Sequence, residues 1–154
     1  MKNTVIKFGS YGLLLGFGLF LIGLLFMKDI DMSTGEIIGY ATMIASLSFI
    51  FFGIKHYRDN INNGAVSLGK AIGIGLLIAL FPAVGIAIAD YIYTAFINPD
   101  FFKEYVAMME AKGNTEPIPE WGSGMMALIM FLTVMILGLI ISLISAFILQ
   151  RKTD

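Results

Sequence analysis

The chain has 154 residues, a net charge of −1, a hydrophobic content of 58% and a mean hydropathy of +0.86. Water-soluble domains contain fewer apolar and more charged residues, and a chain this short has too little interior to hide the excess, so a lipid bilayer is its expected environment. The lack of cysteine excludes disulfides, thiolate catalysis and cysteine-bound metals, and the lack of a basic run argues against nucleic acid as a partner.

Four apolar segments are long enough to cross a bilayer, at about residues 5–27, 36–54, 68–93 and 125–149. About twenty apolar residues span the hydrocarbon core as a helix, and lipid cannot satisfy the backbone groups of an open structure. The uninterrupted apolar run of the first segment starts at Tyr11, after Lys2 and Lys7. It has no small-residue cleavage site after it, so we expect it to remain as a helix. The sequence predicts an all-α membrane protein, a four-transmembrane-helix bundle forming one integral membrane domain over residues 1–154.

Lysine and arginine predict the orientation of these spans. With four spans, both termini and the loop at residues 55–67 share one side, which collects seven of the ten basic residues: Lys2, Lys7, Lys55, Arg58, Lys70, Arg151 and Lys152. An excess of basic residues is typical of the cytoplasmic side. We therefore expect a multi-pass protein of a bacterial cytoplasmic membrane with both termini in the cytoplasm.

The segment between the third and fourth spans carries the sequence features of a helix. Asn98 suits the cap, Pro99 the first turn and Gly113 the end, which predicts an amphipathic helix over about residues 99–112. We expect it along the outer interface or over the mouth of the bundle. The four aromatic candidates for the outer interface are Phe101, Phe102, Tyr105 and Trp121. A lid or a partner-docking surface is the alternative role.

Small residues recur at every fourth position of the third span, at Ala71, Gly75, Ala79, Ala83 and Ala87. Such a face lets helix backbones approach closely, so we expect the third span to be central, with self-association as the alternative use of the face. Pro82 predicts a kink in this span. We expect the hydroxyl groups within the spans to bond one helix to another; these belong to Thr42, Ser46, Ser48, Thr133, Ser142 and Ser145.

Two charged side chains, Lys70 and Asp90, interrupt the third span. Charges within a membrane often mark function, but twenty residues of helix cover about 30 Å, which matches the hydrocarbon thickness. We therefore expect Lys70 at the inner boundary and Asp90 at the outer boundary, neither with a buried partner. The single histidine, His56, has no second imidazole or thiolate with which to share a metal. No cofactor, metal site or catalytic residue is expected.

The polar stretch at residues 53–71 separates the second and third spans. We interpret it as a short cytoplasmic loop that starts near Lys55, turns at Asn63-Gly64 and ends with Ser67 capping the third span. Asp59 is expected to neutralise Arg58. The stretch also offers a candidate surface for lipid head groups or for a docking partner, made of Lys55, Tyr57, Arg58, Asp59 and Lys70.

Two segments carry a resemblance to a known family. The first is G-I-K-x-Y-R-D-x-x-N-N-G, matched from Gly53 to Gly64, and the second is N-P-D-F, matched from Asn98 to Phe101. Together with the closing LIISLISAFILQRK they resemble the bacterial membrane-protein family called domain of unknown function 4199, over almost the whole chain. The resemblance implies four spans and an amphipathic outer segment, and it implies no activity. The chain departs from the family at Leu68, where members often carry Phe, and Asp90 is less typical of the family.

The sequence favours a non-enzymatic protein that acts as a structural or interaction subunit, with the bilayer and other membrane proteins or itself as partners. The alternative is a component of a small-molecule or ion transporter or channel that works as a homo-oligomer. A transport path predicts polar residues near the midplane that converge on a shared cavity.

Overall fold

The computed structural model describes residues 1–26 and 30–151, apart from the side chain of Met32. Its elements are α1 (Lys2–Phe26), α2 (Met32–Leu47), α3 (Phe49–Asn60), α4 (Leu68–Ile92), a short π-helix (Tyr93–Ile97), α5 (Phe101–Ala111) and α6 (Ser123–Leu149). Within these residues four helices are long and apolar enough to cross a membrane: Lys2–Phe26, Ser33–Asn60, Leu68–Ile97 and Ser123–Leu149. The predicted all-α fold with four transmembrane helices is confirmed. The predicted end of the first span at Met27, and Lys152, lie outside the described residues.

The second span is one crossing built from two helices, α2 and α3, that meet at Ser48. Ser46 Oγ donates to Met43 O at 2.8 Å, and Ser48 Oγ donates to Ala45 O at 2.7 Å. Serine hydroxyls that bond back to the preceding turn bend helices, which accounts for the interruption.

The expectation that membrane hydroxyls would bond one helix to another is wrong for these two serines and for two residues of α6. Thr133 Oγ1 donates to Ile129 O at 2.9 Å, and Ser142 Oγ donates to Gly138 O at 2.6 Å. The carbonyl one turn earlier has a free lone pair within reach. It satisfies the hydroxyl without requiring a second helix at a fixed distance.

α4 is the central helix and packs most extensively against α6 and α1. Glycines permit this closeness: a Cβ built on Gly138 of α6 would lie 2.6 Å from the Cβ of Ala79, and one built on Gly12 of α1 would lie 3.4 Å from the ring of Pro82. α4 runs through Pro82 as one helix. Of the five small residues proposed for packing, four are buried and Ala87 is half-buried; the buried ones are Ala71, Gly75, Ala79 and Ala83.

One end of the bundle carries Met1 and Arg151, the last described residue, and is here called the terminal end. There α3 extends to Asn60. Lys55, Tyr57, Arg58 and Asp59 therefore lie on a helix, and the expectation that they belong to the loop is wrong. The helix continues because Tyr57 is buried and the Arg58 charge is neutralised by Asp59, with Nε and Oδ1 2.6 Å apart. The connecting loop is limited to residues 61–67.

This loop turns at Asn63 and Gly64, whose φ angles are +51° and +79°. Ala65 N donates to Asn62 O at 3.1 Å, so the four residues form a turn with two left-handed central positions, as the Asn-Gly pair predicts. Ser67 precedes α4, but its side chain makes no capping hydrogen bond, contrary to expectation.

The loop is held to the end of α6 by a pair of backbone hydrogen bonds. Val66 and Arg151 each donate to the other's carbonyl oxygen at 3.0 Å. The described part of α6 therefore ends against the turn between α3 and α4, and the two pieces of chain close the terminal end together.

At the opposite end, here called the α5 end, α5 begins at Phe101 rather than at Pro99. Asn98 is buried, and its Nδ2 donates to Glu104 Oε2 at 3.0 Å instead of capping the helix. The charged residues Lys103, Glu104 and Glu110 are exposed, whereas the larger apolar side chains of α5 are half-buried. The larger apolar side chains of α5 are thus less exposed than its charged ones, and Phe101 packs against the core of the bundle.

Candidate functional site

A partly open cavity of about 430 Å³ lies at the α5 end of the bundle. Its walls come from α1, α2, α4 and α6, and its outer side is formed by α5 and Trp121. Ligand pockets typically measure about 300–1,000 Å³, are mostly apolar and contain a few polar groups. The cavity has this size and this kind of lining, which makes it the candidate functional site of the described chain.

Asp90 of α4 lies in the wall of this cavity. Only 3% of the residue is exposed, and Oδ2 is buried with no hydrogen-bond partner among the described residues. Asp90 is therefore buried within the bundle, which its place near the end of the third span does not by itself predict. The reason is helical spacing: Asp90 follows the buried Ala83 and Ile86 by seven and four residues, so it continues the face that α4 turns toward the bundle.

Two threonines on different helices also line the cavity. Thr42 of α2 and Thr133 of α6 both line it, and each lies ten residues after the first residue of its helix, Met32 or Ser123. Ten helical residues cover about 15 Å. Two hydroxyl groups that lie well inside their helices therefore share one cavity with Asp90.

Aromatic rings form the outer side of the cavity. Phe102 stacks on Trp121 with ring centroids 6.3 Å apart and on Tyr105 at 6.5 Å, while Phe101 meets the buried Tyr93 edge-on at 5.7 Å. The four residues predicted for the outer interface, Phe101, Phe102, Tyr105 and Trp121, all line the cavity. The structure thus brings these four aromatic residues together with Asp90.

A π-helix joins Asp90 to this aromatic layer. Asn98 N donates to Tyr93 O, five residues earlier, at 2.7 Å, and Thr94 Oγ1 donates to Asp90 O at 2.9 Å. Short π-helical turns are frequent at functional sites. Here the turn directs the chain from Asp90 into α5.

The charges on the cavity wall are all of one sign. Among the described residues the lining contains two carboxylates, Asp90 and the exposed Glu36 of α2, and no lysine, arginine or histidine. Phe20 and Tyr40 add two further aromatic rings. The result is an apolar, aromatic chamber with negative charge.

The chain matches the family described as Protein of unknown function (DUF4199) over residues 7–151. It belongs to this family. The resemblance read from the two sequence segments is therefore confirmed over nearly the whole chain. No curated protein and no solved structure matches the chain.

The family segment at residues 53–64 lies at the terminal end, away from the cavity. Lys55 and Asp59 are exposed, and the ammonium nitrogen of Lys70 lies 5.3 Å from the centroid of the buried Tyr57 ring. Arg58 is 8% exposed and contacts both Asp59 and the end of α6. These contacts hold the segment against the end of α6, and Lys55 remains exposed.

His56 lies in the same segment. Its half-buried ring packs against Phe8 with centroids 5.4 Å apart, and its backbone oxygen accepts a hydrogen bond from Asn60. Across the described residues no three histidine, cysteine or acidic side chains cluster as a metal site would require. The neighbours of His56 are thus those of a packed side chain.

The sequence did not predict that Asp90, Glu36 and Thr42 would line the same cavity. The spacing of Asp90 from Ala83 and Ile86 was the available signal, because it places the carboxylate on the buried face of α4. The positions of Glu36 and Thr42 depend on how α2 packs against the other helices, and no pattern within α2 predicts that.

Proposed function

We propose that the protein binds a small, largely apolar molecule in the cavity at its α5 end, as the binding component of a small-molecule transport system and without catalysing a reaction. The observation that carries this proposal is the shared cavity, which joins a buried carboxylate to the hydroxyl groups of Thr42 and Thr133. We place these two groups near the membrane midplane, because each lies about 15 Å from the start of its helix. A transport path predicts this arrangement, and an interaction subunit does not require it.

The proposed setting is a bacterial cytoplasmic membrane with both termini and residues 61–67 in the cytoplasm, so that the cavity opens toward the outer half of the bilayer. The support is the distribution of basic residues, most of which lie at the terminal end. Reporters fused after Asn62 and after Gln150 should read as cytoplasmic, and a reporter fused near Asn114 should read as external. A cytoplasmic reading at Asn114 contradicts this orientation.

The cavity itself offers a reporter for ligand binding. Trp121 is the single tryptophan of the chain and lines the cavity, so its fluorescence should respond to an occupant. The protein in lipid nanodiscs is titrated with neopentylbenzene, a neutral apolar probe. We expect a saturable change in Trp121 emission.

Two glycine variants provide the matched control. Gly39 lines the cavity, so Gly39→Leu places a side chain in that space, whereas Gly73 lies on an exposed face of α4 with open space around it. The Trp121 response should be lost in G39L and retained in G73L. An unsaturable response, or an equal response in the two variants, contradicts ligand binding in the cavity.

A structural or interaction subunit is the second candidate. Gly69 and Gly73 favour it, because both are exposed on α4 and a Cβ on either would meet nothing within 4 Å. Close helix packing in membranes uses such small residues. The cysteine-free chain permits a direct test with Gly73→Cys in native membranes: cross-linking to itself or to a second protein supports this candidate, and recovery only as an uncross-linked monomer contradicts it.

A further inference from the structure

We propose that the cavity selects a lipophilic organic cation, such as a substituted ammonium ion, with Asp90 as the counter-ion. This inference rests on the proposed function of the cavity as a ligand site and adds the chemical class of its ligand. It follows from the position of one carboxylate, the sign of the lining charges and the character of the surrounding side chains.

The buried carboxylate of Asp90 lacks a hydrogen-bond donor at Oδ2 among the described residues. A buried carboxylate is strongly unfavourable unless an opposite charge or hydrogen-bond donors compensate it. Oδ2 of Asp90 is buried, and no described residue donates to it. A cation bound in the cavity beside Asp90 would supply the missing positive charge.

The rest of the cavity wall also favours a positively charged ligand over a negatively charged one. Glu36 is the other charged residue of the described lining, and it is acidic as well. Opposite charges favour binding and like charges oppose it, so an anionic ligand meets repulsion from both residues. The aromatic rings of Tyr40, Tyr105 and Trp121 add attraction for a cation, because the face of an aromatic ring carries negative charge.

The cavity wall favours an organic cation over a metal ion. Calcium requires about six to eight oxygen ligands, and magnesium retains an octahedral shell. The described residues contain no cluster of three acidic or histidine side chains, and the cavity wall is chiefly Leu, Ile, Met and Phe. An ion with its own apolar groups replaces water at such a wall, whereas a bare or hydrated metal ion does not.

The test uses three probes of similar size that differ in charge. They are benzyltrimethylammonium, its neutral isostere neopentylbenzene and the anion phenylmethanesulfonate, each titrated into the wild-type protein in nanodiscs of zwitterionic lipid. Trp121 emission reports binding. We expect saturable binding of the cation and of the neutral probe, and no saturable binding of the anion. Binding of the anion as tightly as the cation would overturn the inference without any variant.

The variant Asp90→Asn then tests the counter-ion. It keeps the size of the side chain and removes its charge, so the affinity for benzyltrimethylammonium should fall about tenfold or more while the affinity for neopentylbenzene stays unchanged. The neutral probe also verifies that the D90N variant is folded around its cavity. Glu36→Gln is the matched control at an exposed carboxylate, where water screens the charge, and it should lower cation affinity less than D90N.

The outcomes distinguish the two proposals. Equal cation affinity in the wild type and in D90N overturns the role of Asp90, although binding of the neutral probe still supports a ligand cavity. A larger loss in E36Q than in D90N also overturns it. Failure of every probe to change Trp121 emission in the wild type contradicts the proposed function itself.

Discussion

Arg58 joins the end of α3 to the end of α6 through the backbone of Leu149. Its Nη1 donates to Leu149 O at 3.4 Å, while Nε and Nη2 donate to the two carboxylate oxygens of Asp59 at 2.6 and 3.0 Å. One guanidinium therefore neutralises its neighbour and also satisfies a carbonyl at the end of a helix, which has no partner within that helix. The polar family segment is in this way attached to the opposite end of the chain.

Replacing Arg58 by glutamine should loosen the terminal end. We expect the free energy of unfolding to fall by about 1–2 kcal/mol, because a buried carbonyl loses its charged donor. Thermal unfolding in mild detergent measures the change, and protease accessibility at the end of α6 locates it. Lys55→Gln is the control on the same helix, since Lys55 is exposed. An equal effect of both substitutions would argue against the contact with Leu149.

Gly64→Ala should destabilise the turn between α3 and α4 through the backbone alone. The φ angle of Gly64 is +79°, and a Cβ there would meet nothing within 4 Å, so no clash contributes. Left-handed conformations cost an ordinary L-residue about 1–2 kcal/mol. Gly69→Ala is the matched control, because Gly69 also faces open space but lies within α4. The unfolding midpoint should fall for G64A and stay level or rise for G69A.

Gly138→Ala should separate α4 from α6. The added Cβ would lie 2.6 Å from Ala79 Cβ, and overpacking of this kind typically costs about 1–3 kcal/mol. Ala79→Gly should restore stability in the double variant, because it removes the atom that clashes. Gly73→Ala, on an open face of α4, serves as the control. A double variant no more stable than G138A alone would show that this pair of positions does not set the helix separation.

The start of α2 should respond to acid through Asp31. Its carboxylate accepts hydrogen bonds from Ser33 Oγ at 2.6 Å and from Thr34 N at 3.0 Å and Thr34 Oγ1 at 2.8 Å. These bonds, led by the one from Ser33, lower the pKa of Asp31 from its ordinary value of 3.8 to about 2. Because the folded pKa lies below the unfolded one, the stabilisation is complete above about pH 4 and is lost as the pH falls toward 2.

Comparison of the wild type with Asp31→Asn measures this effect. The two unfolding midpoints should differ most above pH 4 and should converge as the pH approaches 2. Ser33→Ala removes the largest contribution and should fall between them. A difference that stays constant from pH 2 to pH 6 would rule out the carboxylate as its source.

The transmembrane fold was predictable because lipid imposes a length on each helix. The apolar segments at 68–93 and 125–149 differ from the helical spans by a few residues at their ends. The helix of the second span continues beyond residue 54, the predicted end of the span, to Asn60, and it carries the charges of Arg58 and Asp59. In the structure those two charges neutralise each other within the helix. A sequence pattern shows that two charges are adjacent, but not that they are paired.

The candidate site was predictable only in pieces. The aromatic residues around α5 were identified, and Asp90 was noted as a charge within a span. Its burial follows from the helix face that it shares with Ala83 and Ile86. The twenty-residue spacing between Lys70 and Asp90 carries no information about that face. The cavity itself is a space left between helices from distant parts of the chain. Its existence depends on packing distances that no periodicity specifies.

The π-helix at Tyr93–Ile97 changes the angle at which the chain leaves α4 and enters α5. A regular α-helix rotates by about 100° for each residue. The one extra residue in this turn therefore sets the direction in which Asn98 points, and Asn98 is the residue that holds Glu104 of α5. A chain one residue shorter at this place would keep the same bundle and the same Asp90, but α5 would leave α4 in another direction. The orientation of the cavity's outer wall thus depends on the number of residues in the π-helical turn as well as on the side chains of α5.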